Sequence, residues 1–247
     1  MLDTYRVVID VANSKQGRDP GREAWSQVMA LMSGHTLTMG SQTTDRFLFD
    51  PKRLCFFLSR YKFAAKMLSR CSHIVDVGCG DGFGTLTFLA DTKATILGVD
   101  FDREQIDFAN KQFQPVIQSA MPEVAGRLVF EHTDFTEQAP LTPLADGIAS
   151  LDVIEHIPPE KEELYLAGIR GTLVDRGVAV IGTPNDLASQ YASKHSQIGH
   201  INMFTPDRLQ GTLEKHFSRV FLFSMNDEVV HTGFNKMAHY LMALAIK

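Results

Sequence analysis

Two carboxylates and an imidazole lie close together around residue 155. Asp152, Glu155 and His156 are spaced i, i+3 and i+4, so in a helical turn all three side chains would face the same way. A further histidine, His200, lies just before a predicted helix. Two chemistries fit this set. Asp152, Glu155, His156 and His200 are candidate ligands of a divalent metal ion. Glu155, His156 and His200 are also candidate catalytic residues, with an imidazole as general base.

A glycine-rich stretch is the second feature that could take part in ligand binding. Residues 74–84 join a short apolar run containing Asp76 to four glycines at alternate positions, the first being Gly78. Glycine has no Cβ and tolerates positive φ, so the pattern predicts a buried strand ending in a loop that a ligand approaches closely. The third small residue of a dinucleotide fingerprint would fall on Phe83, and no Gly-Lys-Ser/Thr ends the loop. Both of those nucleotide-binding patterns therefore fail.

The acid, the loop and a second acid form a recognisable series. Asp76, the glycines and Asp100, a strand and a helix later, resemble motif I and the following acidic motif of class I S-adenosylmethionine-dependent methyltransferases. The acid-x-x-Glu-His-x-Pro pattern of residues 152–158 is similar to ubiquinone-biosynthesis O-methyltransferases, and its first part to small-RNA 3′-terminal 2′-O-methyltransferases. In those families a later histidine completes a metal site, and His200 takes that place here. The resemblance, over about residues 60–225, implies S-adenosylmethionine as donor, S-adenosylhomocysteine as product and, as one alternative, a divalent metal ion.

The donor consists of an adenine, a ribose and an amino-acid tail, and each part has candidate partners. Asp100, at the end of the second predicted strand, is placed to accept hydrogen bonds from both ribose hydroxyls. The resemblance assigns Asp134 to the adenine amino group and Asp76 to the tail. Arg60 and Tyr61 either reach the donor carboxylate or have a surface role. The expected donor-binding residues are Arg60, Tyr61, Asp76, Gly78, Cys79, Gly80, Asp100, Phe101, Asp134, Phe135 and Leu151.

The elements that must position these residues alternate between strand and helix. The predicted strands are 74–77, 95–99, 127–131, 147–151, 178–182 and 219–225, and the predicted helices 84–90, 103–113, 160–173 and 206–216. Residues 186–202 are polar and predict a loop, whereas residues 236–246 fit either a last antiparallel strand or a helix. The prediction is a Rossmann-like, doubly wound α/β fold with a mostly parallel, seven-stranded sheet.

Residues 1–65 differ from the rest of the chain in their pattern of apolar and polar residues. Residues 25–32 place apolar side chains at helical spacing between polar, glycine-containing stretches. We therefore predict an N-terminal helical cap or lid in residues 1–65 and an S-adenosylmethionine-binding methyltransferase domain in residues 66–247. The alternative for the cap is a helical layer that only packs on the core.

Composition narrows the choice of compartment and partner. The net charge of −5 argues against a nucleic-acid partner and favours a small-molecule acceptor. The three cysteines lack the number and spacing of a disulfide framework or zinc cluster, and no apolar run has membrane-spanning length. We expect a cytoplasmic protein that has no membrane partner, and the sequence does not indicate its oligomeric state.

These observations predict the reaction more firmly than the acceptor. The expected function is methyl transfer to a hydroxyl of a small metabolite, such as a sugar or a polyketide- or quinone-like compound. N- or C-methylation needs no different donor residues and stays open. A protein that binds the donor without turning it over is an alternative from another class, and methylation of small RNA is disfavoured by the acidic balance.

Overall fold

The computed structural model describes residues 19–32, 34–137 and 144–247, and the chain divides into two compact units. The first unit, residues 1–36, contains helix α1 (Pro20–Leu31). The Asp19 side chain caps α1 by accepting a 2.9 Å hydrogen bond from the amide of Gly21. Residues 1–18 of the predicted cap lie outside the described residues. The second unit, residues 37–247, contains the sheet and all predicted site residues.

A sheet of eight strands, in the order β3-β2-β1-β4-β5-β8-β6-β7, forms the centre of the second unit. The strands are β1 (His73–Val77), β2 (Thr95–Asp100), β3 (Leu128–His132), β4 (Ala145–Leu151), β5 (Leu173–Pro184), β6 (Arg219–Asn226), β7 (Val229–His231) and β8 (Tyr240–Ile246). Strands β1 to β5 pair in parallel, and β8 lies antiparallel between β5 and β6. The Rossmann-like fold is confirmed. The eighth strand is the short β7, which pairs with β6 after a turn at Asp227, where φ is +51°.

Helices cover both faces of this sheet. They are α2 (Ser41–Phe49), α3 (Pro51–Met67), α4 (Leu86–Asp91), α5 (Arg103–Ala120), α6 (Pro122–Ala125), α7 (Glu162–Thr172), α8 (Lys194–Gly199) and α9 (Pro206–Leu213). Within the described ranges, four 3₁₀ turns lie in the connections between these elements: Ile154–His156, Pro159–Lys161, Asp186–Tyr191 and Asn235–Met237. Within the described ranges, no helix has the length and apolarity needed to cross a membrane.

Two helical segments differ from the prediction. Helix α5 continues through Pro115 to Ala120, because its apolar face is buried on the sheet and outweighs the proline. The predicted loop at 186–202 contains a 3₁₀ turn and α8, where the Ser193 side chain accepts a hydrogen bond from the amide of Ser196. The Ser193 cap therefore stabilises α8, although its sequence lacks the apolar periodicity from which a helix is predicted.

Helix α3, most of which lies in the predicted segment 1–65, packs on the core. Tyr61, Ala64 and Ala65 of this helix are buried in the same hydrophobic cluster as Phe88 of α4. The predicted boundary at residue 65 thus falls inside a helix that packs on the sheet, and the two compact units separate at residue 36. A role of residues 1–65 as a lid stays a prediction.

Candidate active site

The glycine loop after β1 requires glycine at its first position. Gly78 has φ of +78°, and a Cβ there would lie 2.2 Å from Cγ2 of Val153. The amides of Gly78 and Cys79 donate to the carbonyl of Val99, at 2.8 and 3.0 Å. The loop is therefore held against the end of β2 while its open side borders a cavity.

Asp100 is positioned by backbone amides at the end of β2. One carboxylate oxygen accepts from the amide of Gly80 at 2.8 Å, and the other from the amide of Asp102 at 2.9 Å. Burial raises the pKa of Asp100, and the two amides oppose that rise. Each oxygen keeps a lone pair for another donor, which suits a pair of neighbouring hydroxyls.

Asp76 is a fully buried carboxylate with one satisfied oxygen. Its Oδ2 accepts a 2.6 Å hydrogen bond from Oγ1 of Thr85, whereas no group in the described ranges lies within hydrogen-bonding geometry of Oδ1. Burial raises the pKa of Asp76 to about 7; the Thr85 hydroxyl opposes the rise, the charge of Asp100 adds to it, and the nearby Tyr61 hydroxyl opposes it. A cationic group such as an ammonium would satisfy Oδ1 and keep the carboxylate ionised.

Asp152 and Arg60 form an ion pair at the end of β4 in which one guanidinium nitrogen contacts both carboxylate oxygens. Nη1 of Arg60 lies 2.7 Å from each oxygen of Asp152, and the guanidinium stacks over the Tyr240 ring at 3.7 Å. Burial favours the protonated carboxyl, but Arg60 and Arg46 lower the pKa of Asp152 below its usual range. The structure therefore brings Asp152 to Arg60 and not into the group of candidate metal ligands. The Arg60 guanidinium thus has a protein partner, and its contact with the donor carboxylate stays a prediction.

Glu155, His156 and His200 come together as predicted, with one ligand atom from each lying within 4.8 Å of the others. Glu155 is fully buried on a 3₁₀ turn, and its Oε2 accepts from Oγ1 of Thr183 at 3.0 Å. Among the described residues, Oε1 of Glu155 has no hydrogen-bond partner. Burial raises the pKa of Glu155 to about 8, and the negative charge of Asp152 adds to the rise.

The two imidazoles are adjacent and have different environments. Nδ1 of His156 lies 2.8 Å from the carbonyl oxygen of Gly199. Because a carbonyl only accepts, Nδ1 must carry the proton, and the neutral ring keeps its lone pair on Nε2. The His200 ring meets His156 edge-on with centroids 4.9 Å apart. Burial, followed by the charges of His156 and Arg53, lowers the pKa of His200.

Most of the predicted site residues line a cavity of about 590 Å³. The predicted residues that line it are Arg60, Tyr61, Gly78, Cys79, Gly80, Asp100, Phe101, Asp134, Leu151, Asp152, His156 and His200. Asp76 and Glu155 are buried next to it. Phe101 is 71% exposed and offers a free ring face, whereas the Phe135 ring is buried against Tyr165. The structure therefore places Phe135 in the core, and the neighbouring Asp134 at the cavity.

Several cavity residues were not predicted from the sequence. Two of them, Arg46 of α2 and Arg53 of α3, place charges near Asp152 and His200, and Tyr240 of β8, outside the cavity lining, stacks against Arg60. Arg53 and Arg60 are seven residues apart, which is two helical turns, and this spacing could have shown that they share a face of α3. Tyr240 gives no local signal, since it reaches Asp152 only through sheet pairing between distant parts of the chain.

Comparisons with known proteins agree with this geometry. The methyltransferase domain of a bacterial protein named CtHen1-C is 16% identical, with a TM-score of 0.62, over 76% of this chain and 97% of that one. A possible histamine N-methyltransferase from Thermotoga maritima is 16% identical, with a TM-score of 0.58, over 83% and 98% of the two chains. At these identities the likeness shows the fold.

A sequence relative and a family model complete the comparison. Sphingolipid C9-methyltransferase of Candida albicans is 27% identical over 114 residues, which are 45% of this chain and 21% of that protein's length. The model of the methyltransferase domain family matches residues 46–216, from α2 to the end of α9. The chain therefore belongs to the methyltransferase domain family, and its Rossmann-like fold is that of the methyltransferase structures it resembles.

Proposed function

We propose that this methyltransferase transfers the donor's methyl group to a hydroxyl of a small molecule, with His156 as general base. The observation that carries the proposal is the hydrogen bond between Nδ1 of His156 and the Gly199 carbonyl, which leaves Nε2 free at the cavity. The neighbouring His200 has a lowered pKa and so adds no positive charge at neutral pH. A neutral imidazole held in one orientation is suited to take a hydroxyl proton.

The donor is expected to lie along the glycine loop with its reactive end towards the histidines. Ribose hydroxyls at Asp100, the ammonium group at Asp76 and the adenine between Phe101 and Asp134 would span the cavity from β2 to β1. The three sets of groups follow successive strand ends, where ligands of open α/β sheets bind. That orientation points the sulfonium methyl towards the part of the cavity next to β4 and His156.

The reaction is a direct displacement. As the hydroxyl oxygen attacks the methyl carbon, Nε2 of His156 takes its proton and the bond between carbon and sulfur breaks, which releases S-adenosylhomocysteine. The Gly199 carbonyl at Nδ1 stabilises the imidazolium that forms. General-base catalysis of this kind contributes a factor of about 10² to 10⁴, and alignment of the two substrates supplies much of the remaining rate.

A divalent metal ion is the alternative, and part of the predicted ligand set fits one. Glu155, His156 and His200 would hold it, since Oε1 of Glu155 is buried without a partner among the described residues and both imidazoles can offer nitrogen. A bound ion would lower the pKa of the acceptor hydroxyl. Asp152, the fourth predicted ligand, is paired with Arg60. General-base catalysis by His156 predicts that activity survives exhaustive chelation, whereas loss of activity that a divalent ion restores supports the metal mechanism.

The test is methyl transfer from ¹³C-methyl-labelled donor to a panel of hydroxylated sugars, polyketides and quinols, with the product analysed by NMR. We expect the label on oxygen, and a rate that falls about 100-fold or more in His156→Gln with unchanged affinity for S-adenosylhomocysteine. His73→Gln is the matched control, because His73 is an exposed histidine at the opposite end of β1. Unchanged turnover in His156→Gln contradicts the base assignment.

Other products would point to other functions. The relatives are named for C9-methylation of a sphingolipid and for possible N-methylation of histamine, so label on carbon or nitrogen would replace the hydroxyl proposal. Donor binding without transfer to any acceptor would support a non-catalytic partner protein. A shift of short RNA in a native gel, with label at its 3′ end, would support RNA methylation.

A further inference from the structure

A second cavity, of about 490 Å³, lies beside the first. Phe56 and Arg60 of α3 line both cavities, and Tyr240, under the Arg60 guanidinium, lines the second. The stacked Arg60 and Tyr240 therefore form a wall between the second cavity and the histidine end of the first. A molecule bound at His156 has this second space within reach past Phe56.

The second cavity is mainly apolar and aromatic. Phe56, Ala188, Tyr191, Met225 and Tyr240 supply most of its lining. The charged and titratable residues of its lining are poorly placed to bind an ion. The Arg60 charge is neutralised by Asp152, while Asp227 and His239 are exposed to solvent. Such a lining excludes water better than it binds charge, which favours an apolar occupant.

The apolar surface continues outside the second cavity. Ala188 and Tyr191, which line the cavity, belong to the 3₁₀ turn Asp186–Tyr191. His239, which also lines it, comes two residues after the 3₁₀ turn Asn235–Met237. Those turns are held together by Nδ2 of Asn185, which donates to the carbonyl of Ala238 at 2.8 Å. The same two turns, with the residue that caps the second, expose large apolar side chains: Leu187 (47% exposed), Tyr191 (77%), Phe234 (64%) and Met237 (73%). Exposed apolar side chains grouped beside a cavity are typical of a ligand-binding surface.

We propose that the second cavity and the apolar surface around the two turns bind a hydrocarbon chain carried by the acceptor. An extended chain fits better than a compact ring, because the cavity opens onto more apolar surface along which a longer ligand can continue. The inference rests on the proposed function in one respect: the chain belongs to the molecule whose hydroxyl is methylated. It narrows the acceptor from small molecules in general to amphiphilic ones.

The test compares two fluorescent probes that differ only in their chains, 11-(dansylamino)undecanoic acid and dansylglycine, on protein loaded with S-adenosylhomocysteine. We expect the undecanoic probe to bind at least 10-fold more tightly. Ala188→Trp fills the cavity and should weaken that binding at least 10-fold, whereas Ala192→Trp, at another half-buried alanine four residues on, should leave it unchanged. Tyr191→Ser should also weaken binding of the undecanoic probe, and it carries little risk to folding because Tyr191 is 77% exposed.

The affinity for S-adenosylhomocysteine, measured on the same samples, shows that each variant is folded. Equal binding of the two probes, no binding of the undecanoic probe, or equal binding to the Ala188→Trp variant overturns the inference. These outcomes are independent of the methyl-transfer assay. Label on nitrogen or carbon with intact chain binding would refute only the hydroxyl proposal, and label on a hydroxyl without chain binding would refute only the apolar site.

Discussion

Replacing Asp76 with Asn should make the protein more stable and its donor site weaker. The pKa of Asp76 rises from 3.8 to about 7 on burial. The protonated form is therefore favoured in the folded state, so stability is highest at pH values below the unfolded pKa and is lost as pH rises through about 7. Above that pH, the ionised carboxylate opposes folding by at most about 4 kcal/mol, since one pKa unit corresponds to about 1.4 kcal/mol.

The neutral Asn removes this opposition and still accepts the hydrogen bond from Thr85. We expect Asp76→Asn to raise the melting temperature at pH 8.5 by about 10 °C, and by clearly less at pH 5. The same change removes a charged acceptor for the donor's ammonium group, and we expect S-adenosylhomocysteine to bind about 10- to 100-fold more weakly. Thermal unfolding and calorimetric titration measure the two effects, with the exposed Asp107→Asn as control. Lower stability at pH 8.5, or unchanged affinity, would refute the reasoning.

Three further predictions test other parts of the site. Gly78→Ala should destabilise the protein by about 2 kcal/mol or more and abolish donor-product binding, because the new Cβ meets Val153 at 2.2 Å and φ is +78°; wild-type unfolding and binding would contradict this. Asp152→Asn keeps a residue type that tolerates positive φ but breaks the pair with Arg60, and should cost about 3 kcal/mol in urea unfolding; a change below about 0.5 kcal/mol would argue against a strong pair. Because burial lowers the pKa of His200, an NMR titration of its imidazole should give a midpoint below 6.5; a midpoint above 6.5 would contradict the account of its surroundings.

The donor half of the site follows closely from the sequence, because its geometry is local. Gly78, Gly80 and Gly82 lie where the backbone turns at positive φ, and Asp100 ends the next strand within reach of the Gly80 amide. Similarly, the Asp102 cap of α5 involves residues two apart. A pattern of a few adjacent residues is enough to place such groups.

The acceptor half depends on contacts between distant parts of the chain. The position of Asp152 next to His156 and Glu155 in the sequence indicated a shared metal site, but Arg60, 92 residues away, takes its carboxylate. The same limit applies in the donor half to Phe135, which follows the cavity residue Asp134 but packs its ring in the core against Tyr165. Neither outcome is encoded in local spacing, since each depends on which helix packs over which strand end.

A crystal structure with bound S-adenosylhomocysteine tests the central claim most directly. We predict the ribose hydroxyls within hydrogen-bonding distance of Asp100, the ammonium group at Oδ1 of Asp76, and the sulfur facing Nε2 of His156. A product molecule whose sulfur faces away from His156, or whose ribose lies away from Asp100, would contradict the assignment of this cavity as the methyl-transfer site.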